Sequence, residues 1–168
     1  DTQAMHWTEE TYSIHGLAPE EVGPGSKEHI NRSIECYEPK DRPAIMAAFQ
    51  GCVEGGQPYD MELPFTTAKG HRLWIRTTAR PVFEGGKVIR VIGNIMDITE
   101  RKVAEELYRG QLNFVETLMR AIPAPVFYKD AEGRYTSVNT TLVARTGRTR
   151  KRDLLGRTAV DVFPGPLG

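Results

Sequence analysis

Four histidines and two cysteines are the side chains of this 168-residue sequence best suited to metal binding or nucleophilic chemistry. His6, His15, His29 and His71 follow no metal-ligand spacing, and each reads as a surface or turn residue. Cys36 and Cys52 are too few for a disulfide framework and lack the CxxC spacing of a zinc site, so they read as free thiols in a reducing compartment. The glycosylation sequons at Asn31 and Asn139 are then chance matches. No phosphate loop, nucleophile elbow, metal cluster or convergent carboxylate pair is evident, so catalysis within these residues is not expected.

Other residues suit binding or switching better than catalysis. Asp97 and Thr99 stand where a strand-like run gives way to a helical one, where a carboxylate and a hydroxyl can cap the first turn. Their role is plain capping or a switchable joint made from the same hydrogen bonds. Met46 and Phe49, then Tyr59, Met61, Leu63, Ile75, Thr77, Val91 and Ile95, fall on the inward-reading faces of their segments. They suit an ordinary packed core, and equally an adaptable ligand pocket with a polar handle. Trp74 falls on the opposite strand face among Arg72, Arg76 and Arg80, and is expected to be exposed unless something covers it, which makes it an interaction-surface candidate. Arg148, Arg150, Lys151 and Arg152 form a basic cluster that suits a solvated surface or contact with an anion.

The elements that must position these residues follow from pattern. Asp1 to Trp7 reads as a short strand, Thr8 as a helix cap and Gly16 as the stop of that helix. Pro19 to Ser26 reads as loop or a single turn, and Pro39 to Gly51 as a helix with Asp41 at its cap, Pro43 in its first turn and Ile45, Met46, Phe49 and Val53 at helical spacing. Three strand-like runs follow at Tyr59–Leu63, Arg72–Phe83 and Val88–Ile98, joined by turns at Lys69-Gly70 and Gly85-Gly86. A helical stretch followed by an antiparallel meander predicts an α+β domain with helices on one sheet face. From Arg101 to Ala121 the apolar period changes to that of a helix. Ala104, Leu107, Gln111, Phe114, Leu118 and Ala121 make a short heptad seam, interrupted by Gly110 and ended by Pro123 and Pro125.

The last segment restarts the first. Phe127–Asp130 and Arg134–Val138 read as strands about a turn, Asn139 takes the cap position of Thr8, and Gly147 the stop position of Gly16, each 131 residues later. Net charge is zero for the whole, yet residues 1–100 carry 10 Lys and Arg against 15 Asp and Glu, while residues 101–168 carry 12 against 7. The neutral total removes the electrostatic case for nonspecific nucleic-acid binding, and the asymmetry suggests two units. No apolar run approaches the ~18 residues that a membrane span requires, which leaves a membrane-anchored parent open.

These residues resemble the PAS sensor family. The resemblance rests on the order of elements, on Glu-Pro-Lys-Asp-Arg before the long helix, on Arg72-Leu73-Trp74-Ile75, and above all on Gly93-Asn-Ile-Met-Asp-Ile-Thr-Glu-Arg-Lys102, which looks like that family's last strand and Asp-Ile-Thr exit motif. Lys129-Asp-Ala-Glu-Gly-Arg134, Val138-Asn139 and Leu155-Gly156 carry it into the second copy. The resemblance implies a PAS domain over 1–100 lacking its first strand, a linker helix over 101–122, and the N-terminal part of a second PAS domain over 123–168. It implies a five-stranded antiparallel sheet with helices on one face and a pocket between them.

It further implies a cytoplasmic sensory module of a bacterial-type signalling protein. A small molecule or partner would be its input, and the linker helix would carry the change to an output domain such as a histidine kinase, diguanylate cyclase or phosphodiesterase. The alternative is a structural dimerisation or spacer module without a ligand. Cofactor identity stays unknown. Flavin is disfavoured because neither cysteine lies in the reactive run of that family's photoreceptors, and haem because the Pro39–Val53 helix has no histidine. A homodimer is expected, through the Trp74 face or through Leu107, Phe114 and Leu118 of the linker. An exchange of the Val126–Asp130 strand between copies is a further option, since the first copy lacks that strand.

Overall fold

The computed structural model describes residues 5–21 and 28–163. Their contacts divide the chain into two compact units, one ending at Ala104 and the other starting at Glu105.

In the first unit, α1 (Glu9–His15) is capped by Thr8, whose hydroxyl accepts from the Thr11 N–H, and ends at Gly16 with φ 71°. A side chain at Gly16 would be strained there and would press on Thr67 at 3.2 Å. Then come α2 (Glu28–Glu35) and α3 (Arg42–Gly55). The sheet consists of β1 (Tyr59–Thr66), β2 (Arg72–Glu84) and β3 (Lys87–Asp97), antiparallel in the order β1-β2-β3. The β2–β3 hairpin turns on Gly85 and Gly86, both at positive φ, the conformation that suits the right-handed twist of the flanking strands.

Register decides which residues share the inner face. Tyr59 pairs with Ala79, Met61 with Thr77, Leu63 with Ile75 and Phe65 with Leu73. Across the other side of β2, Thr77 pairs with Ile95 and Pro81 with Val91. Cys36, Tyr37, Ile45, Phe65 and Ile75 form the buried core, and Ile14, Ile34, Tyr59, Met61, Leu63, Leu73 and Ile95 pack against it.

The second unit takes most of α4 (Thr99–Ala121), followed by the hairpin β4 (Phe127–Lys129) and β5 (Tyr135–Val138). Next are α5 (Thr140–Arg145), a 3-10 turn at Lys151–Asp153, and α6 (Ala159–Val162). Tyr135, Val138, Leu142, Val143, Leu154 and Val162 form a separate small core. The repeat read from sequence is visible in geometry: Asn139 caps α5 as Thr8 caps α1, and Gly147 has φ 68° against 71° at Gly16.

Several expectations change. Among the described residues there is a three-stranded sheet and a separate two-stranded one, not a sheet of five. Of the strand expected at Asp1–Trp7, Asp1–Ala4 lie outside the described residues, and Met5–Trp7 form no strand, because Trp7 turns onto His15 in a stack at 4.1 Å. The Pro19–Ser26 stretch is a turn as far as Glu21, and the rest lies outside the described residues. Helix α3 starts later and runs four residues further than expected, with Asp41 at its cap position making no side-chain cap bond. It faces the sheet with Ile45, Phe49 and Cys52, so Met46 is displaced by one helical step and stands 54% exposed rather than inward. His15 and His29, read as surface or turn residues, are only 1% and 0% exposed, because ring stacking and hydrogen bonds accommodate both imidazoles in the interior.

Candidate functional site

Two places in the first unit gather the residues singled out above. One is the inner sheet face. Ile75 and Thr77 are buried there, while Tyr59, Met61, Leu63, Val91, Ile95 and Phe49 are half-buried. Tyr37 and Tyr59 bring hydroxyls into it, and burial pushes both phenols up from their ordinary range. Cys36 lies at its rim, its thiol donating to the Arg32 carbonyl at 3.3 Å, and burial pushes that thiol up to about 11. Cys52 is also buried and its thiol is raised. Neither is a reactive thiolate at neutral pH. A shallow cleft of about 500 Å³ opens instead beside α1, lined by Tyr12, Leu17, Pro19 and Lys69, and none of the inner-face residues lines it.

The other place is the root of α4. The Asp97 carboxylate accepts from the Thr99 N–H at 2.8 Å and from the Thr99 hydroxyl. That hydroxyl accepts in turn from the Trp74 N–H at 2.9 Å, and the Trp74 carbonyl accepts from the Ile98 N–H at 2.8 Å. The exit from β3 into α4 is thereby bonded to the backbone of the middle strand on both sides of one residue. Trp74 is half-buried rather than free, because Lys102 from the first turns of α4 sits over its ring with Nζ 5.0 Å from the centroid.

Sequence reasoning missed the third part of this joint. Glu62 of β1 accepts from Arg101 at 2.6 Å and pairs with Lys102 at 2.7 Å, and these partners hold its carboxyl below the usual carboxylate range, Lys102 foremost. The available signal was the Glu62 position on the outward face of an alternating strand together with two cations directly after the exit motif. The carboxylate lies 39 residues from Arg101, with Lys102 one residue further on, so only the fold brings them together. Of the Arg residues around Trp74, Arg76 pairs with Asp60 and Arg72 with Glu38.

In the second unit, Asn139 does more than cap. Its Oδ1 accepts from Leu142 N–H at 2.9 Å and Val126 N–H at 3.1 Å, and its Nδ2 donates to the carbonyls of Ala124 at 2.8 Å and Met119 at 3.2 Å. The end of α4 is thus bound into its own unit by one side chain. Leu107, Phe114 and Leu118, the seam candidates on α4, are exposed, as are Val103, Leu112 and Val115. In the basic cluster, Lys151 pairs with Glu116 at 3.0 Å.

Comparison with known proteins agrees with these features. A family model described as the PAS fold matches residues 4–95, and a second PAS-fold model matches residues 119–168. The chain belongs to the PAS fold family. It carries two PAS-family units in tandem. A sensory box histidine kinase/response regulator from Burkholderia thailandensis superposes with a TM-score of 0.53 at 26% identity, covering 69% of this chain and 84% of that one. The N-terminal domain of a diguanylate cyclase with PAS/PAC sensor from Marinobacter aquaeolei superposes at 0.51 with 18% identity, covering 60% and 90%, and shows the shared fold. Among curated proteins, the blue-light-activated histidine kinases of Brucella ovis and Brucella melitensis are 29% identical over 110 residues, 59% of this chain. The chain spans 21% of the length of those relatives. Its PAS relatives are thus sensor segments of signalling proteins.

Proposed function

We propose that this PAS pair is a sensory and regulatory segment of a cytoplasmic bacterial-type signalling protein. Its input is a small molecule or partner acting on the first unit, and its output is carried through α4 to a domain elsewhere in the same polypeptide, of the histidine kinase, diguanylate cyclase or phosphodiesterase kind. The observation that supports it most is the joint at the root of α4. Asp97 and Thr99 bond the helix start to the Trp74 backbone, and Glu62 grips Arg101 and Lys102. A rearrangement of the inner face at Ile75 or Thr77 shifts β2, and Trp74 is the next residue of that strand. Polar bonds at a helix root have preferred directions, so they reset the helix when the strand moves, which nonspecific apolar contact would not do.

The test is Asp97→Ala in the full-length parent. Output is expected to lose its dependence on the input while the first unit stays folded. Unchanged signalling would count against the joint.

A second reading, a dimerisation or spacer module without a ligand, is favoured by one observation: α4 has no buried residue and exposes Leu107, Phe114 and Leu118. The two readings separate on metabolite screening by thermal shift, since a spacer with a filled core gains no stability from any ligand.

A further inference from the structure

The cleft beside α1 is set apart from the inner sheet face, and its two walls come from different elements. One wall is α1 and the chain leaving it, with Glu9, Tyr12, Ser13, Leu17 and Pro19. The other is the turn between β1 and β2, which supplies Lys69. The Ala68 N–H holds the walls together by donating to the His15 carbonyl at 2.8 Å. The turn is closely bonded in itself. The Thr67 N–H donates to the His71 carbonyl at 2.9 Å, the His71 N–H to the Thr67 hydroxyl at 3.0 Å, and the Gly70 N–H to the Thr67 carbonyl at 2.8 Å. The cleft therefore has a preformed shape, and at about 500 Å³ it is of ordinary ligand size.

Its chemistry is that of a two-ended site. Tyr12 is buried and its hydroxyl lies 2.8 Å from His29 Nε2, so the polar end is already engaged and the ring is what remains for the cleft. With Leu17 and Pro19 that ring makes an apolar floor. Glu9 and Lys69 are exposed, and among the described residues neither forms an ion pair, with the other or with a third residue. An unpaired carboxylate and an unpaired ammonium on one cleft match a ligand that carries both charges, each facing its opposite. A ligand with one charge alone fits less well, since an anion would also meet Glu9 and a cation would also meet Lys69. Ser13, exposed on the α1 wall, adds a hydroxyl that donates or accepts.

We propose that this cleft binds a free α-amino acid with an aliphatic side chain: its ammonium meets Glu9, its carboxylate meets Lys69, and its side chain lies over Tyr12, Leu17 and Pro19. Such a ligand ties α1 to the turn. The turn leads straight into β2, whose third residue is Trp74, and the Trp74 N–H is bonded to Thr99 at the root of α4. Occupancy therefore braces the start of β2 just ahead of the joint, from outside the sheet core. The proposal deepens the sensory reading by naming the class of its small molecule, and it rests on that reading only for what binding is used for.

The test reads binding in the 168-residue chain, apart from any output. L-leucine is titrated by NMR beside 4-methylpentanoate, which lacks the ammonium, and 3-methylbutylamine, which lacks the carboxylate. L-leucine is expected to shift the amides of Ser13, Leu17 and Lys69 saturably and to slow exchange of the Ala68 N–H between the two walls. Each analogue is expected to bind about fivefold more weakly, the most that one exposed ion pair ordinarily contributes. In Glu9→Gln, L-leucine is expected to bind no better than 4-methylpentanoate. In Lys69→Gln it is expected to bind no better than 3-methylbutylamine, because each variant removes the partner of the charge that the analogue lacks. L-leucine that leaves these amides unshifted up to its solubility limit would overturn the proposal. So would analogues that bind as tightly as L-leucine, a preference that survives in either variant, or an Ala68 exchange rate that L-leucine leaves unchanged. Any of these leaves transmission through Asp97 standing, and unchanged signalling in Asp97→Ala leaves the binding site standing.

Discussion

Asn139 engages both polar ends of its side chain inside a site that is 0% exposed. Asn139→Ala removes the cap of α5 and leaves the Val126 N–H and the Ala124 and Met119 carbonyls without their partner. A lost cap costs about 1 kcal/mol and unsatisfied buried groups about 1–3 kcal/mol more, so a loss of about 3 kcal/mol in urea unfolding of the second unit is expected. A loss below about 0.5 kcal/mol, the ordinary surface value, would contradict this assignment. The cap was legible because Asn before a helical run has a local meaning. The clamp on the end of α4 was not, since its partners lie up to 20 residues away. The histidines failed for the same reason in reverse. Their isolation in the sequence read as exposure, whereas Trp7, Tyr12, Ser33 and Phe65 reach them only once α1, α2 and β1 are packed.

Among the elements, α3 shows how one residue of register separates core from surface. Ile45, Phe49 and Cys52 recur at four and three, and Met46, Phe49 and Val53 at three and four, so apolar periodicity fits both faces. Only the packing partner decides between them. Ile45→Ala is expected to cost about 2–4 kcal/mol, and Met46→Ala less than about 0.5 kcal/mol. Equal losses in thermal or urea unfolding would mean that the inner face of α3 is wrongly placed. The strands were more legible than the helices, because alternation over Arg72–Phe83 admits two faces only and the Gly85-Gly86 turn fixes the pairing partner. Local pattern also supplied the three strands of the first unit and the two of the second that stand among the described residues, whereas the sheet of five was implied by the family resemblance and is not what pairs there.

At the scale of the molecule, α4 joins two PAS-family units of opposite net charge and shows apolar side chains along its length. A parallel pairing of two such helices through Leu107, Phe114 and Leu118 would cover part of that surface. Analytical ultracentrifugation is expected to find a dimer at high protein concentration, and Phe114→Lys with Leu118→Lys a monomer. A native chain that stays monomeric throughout would refute the pairing. The division into two units was legible from the restart at Phe127 and from the charge asymmetry, while the residues that bind α4 at its two ends were only half legible. Asp97 and Thr99 belong to a compact local motif, but Glu62 takes part from a distant strand.

Gly110 has eleven helical residues on either side of it within α4, and its surroundings are open, with nothing within 4 Å of where a Cβ would lie. At 1.5 Å per residue the helix is a rod about 34 Å long, and its most compliant backbone position is at mid-span. Bending torque applied at one end is therefore partly absorbed before it reaches the other. Gly110→Ala is expected to raise helix stability by roughly 0.5–1 kcal/mol, read as slower amide exchange across residues 107–114. In the full-length parent it would stiffen the rod, and a given input would then produce a larger swing in output. Mid-span compliance would in that case act as the gain control of the molecule.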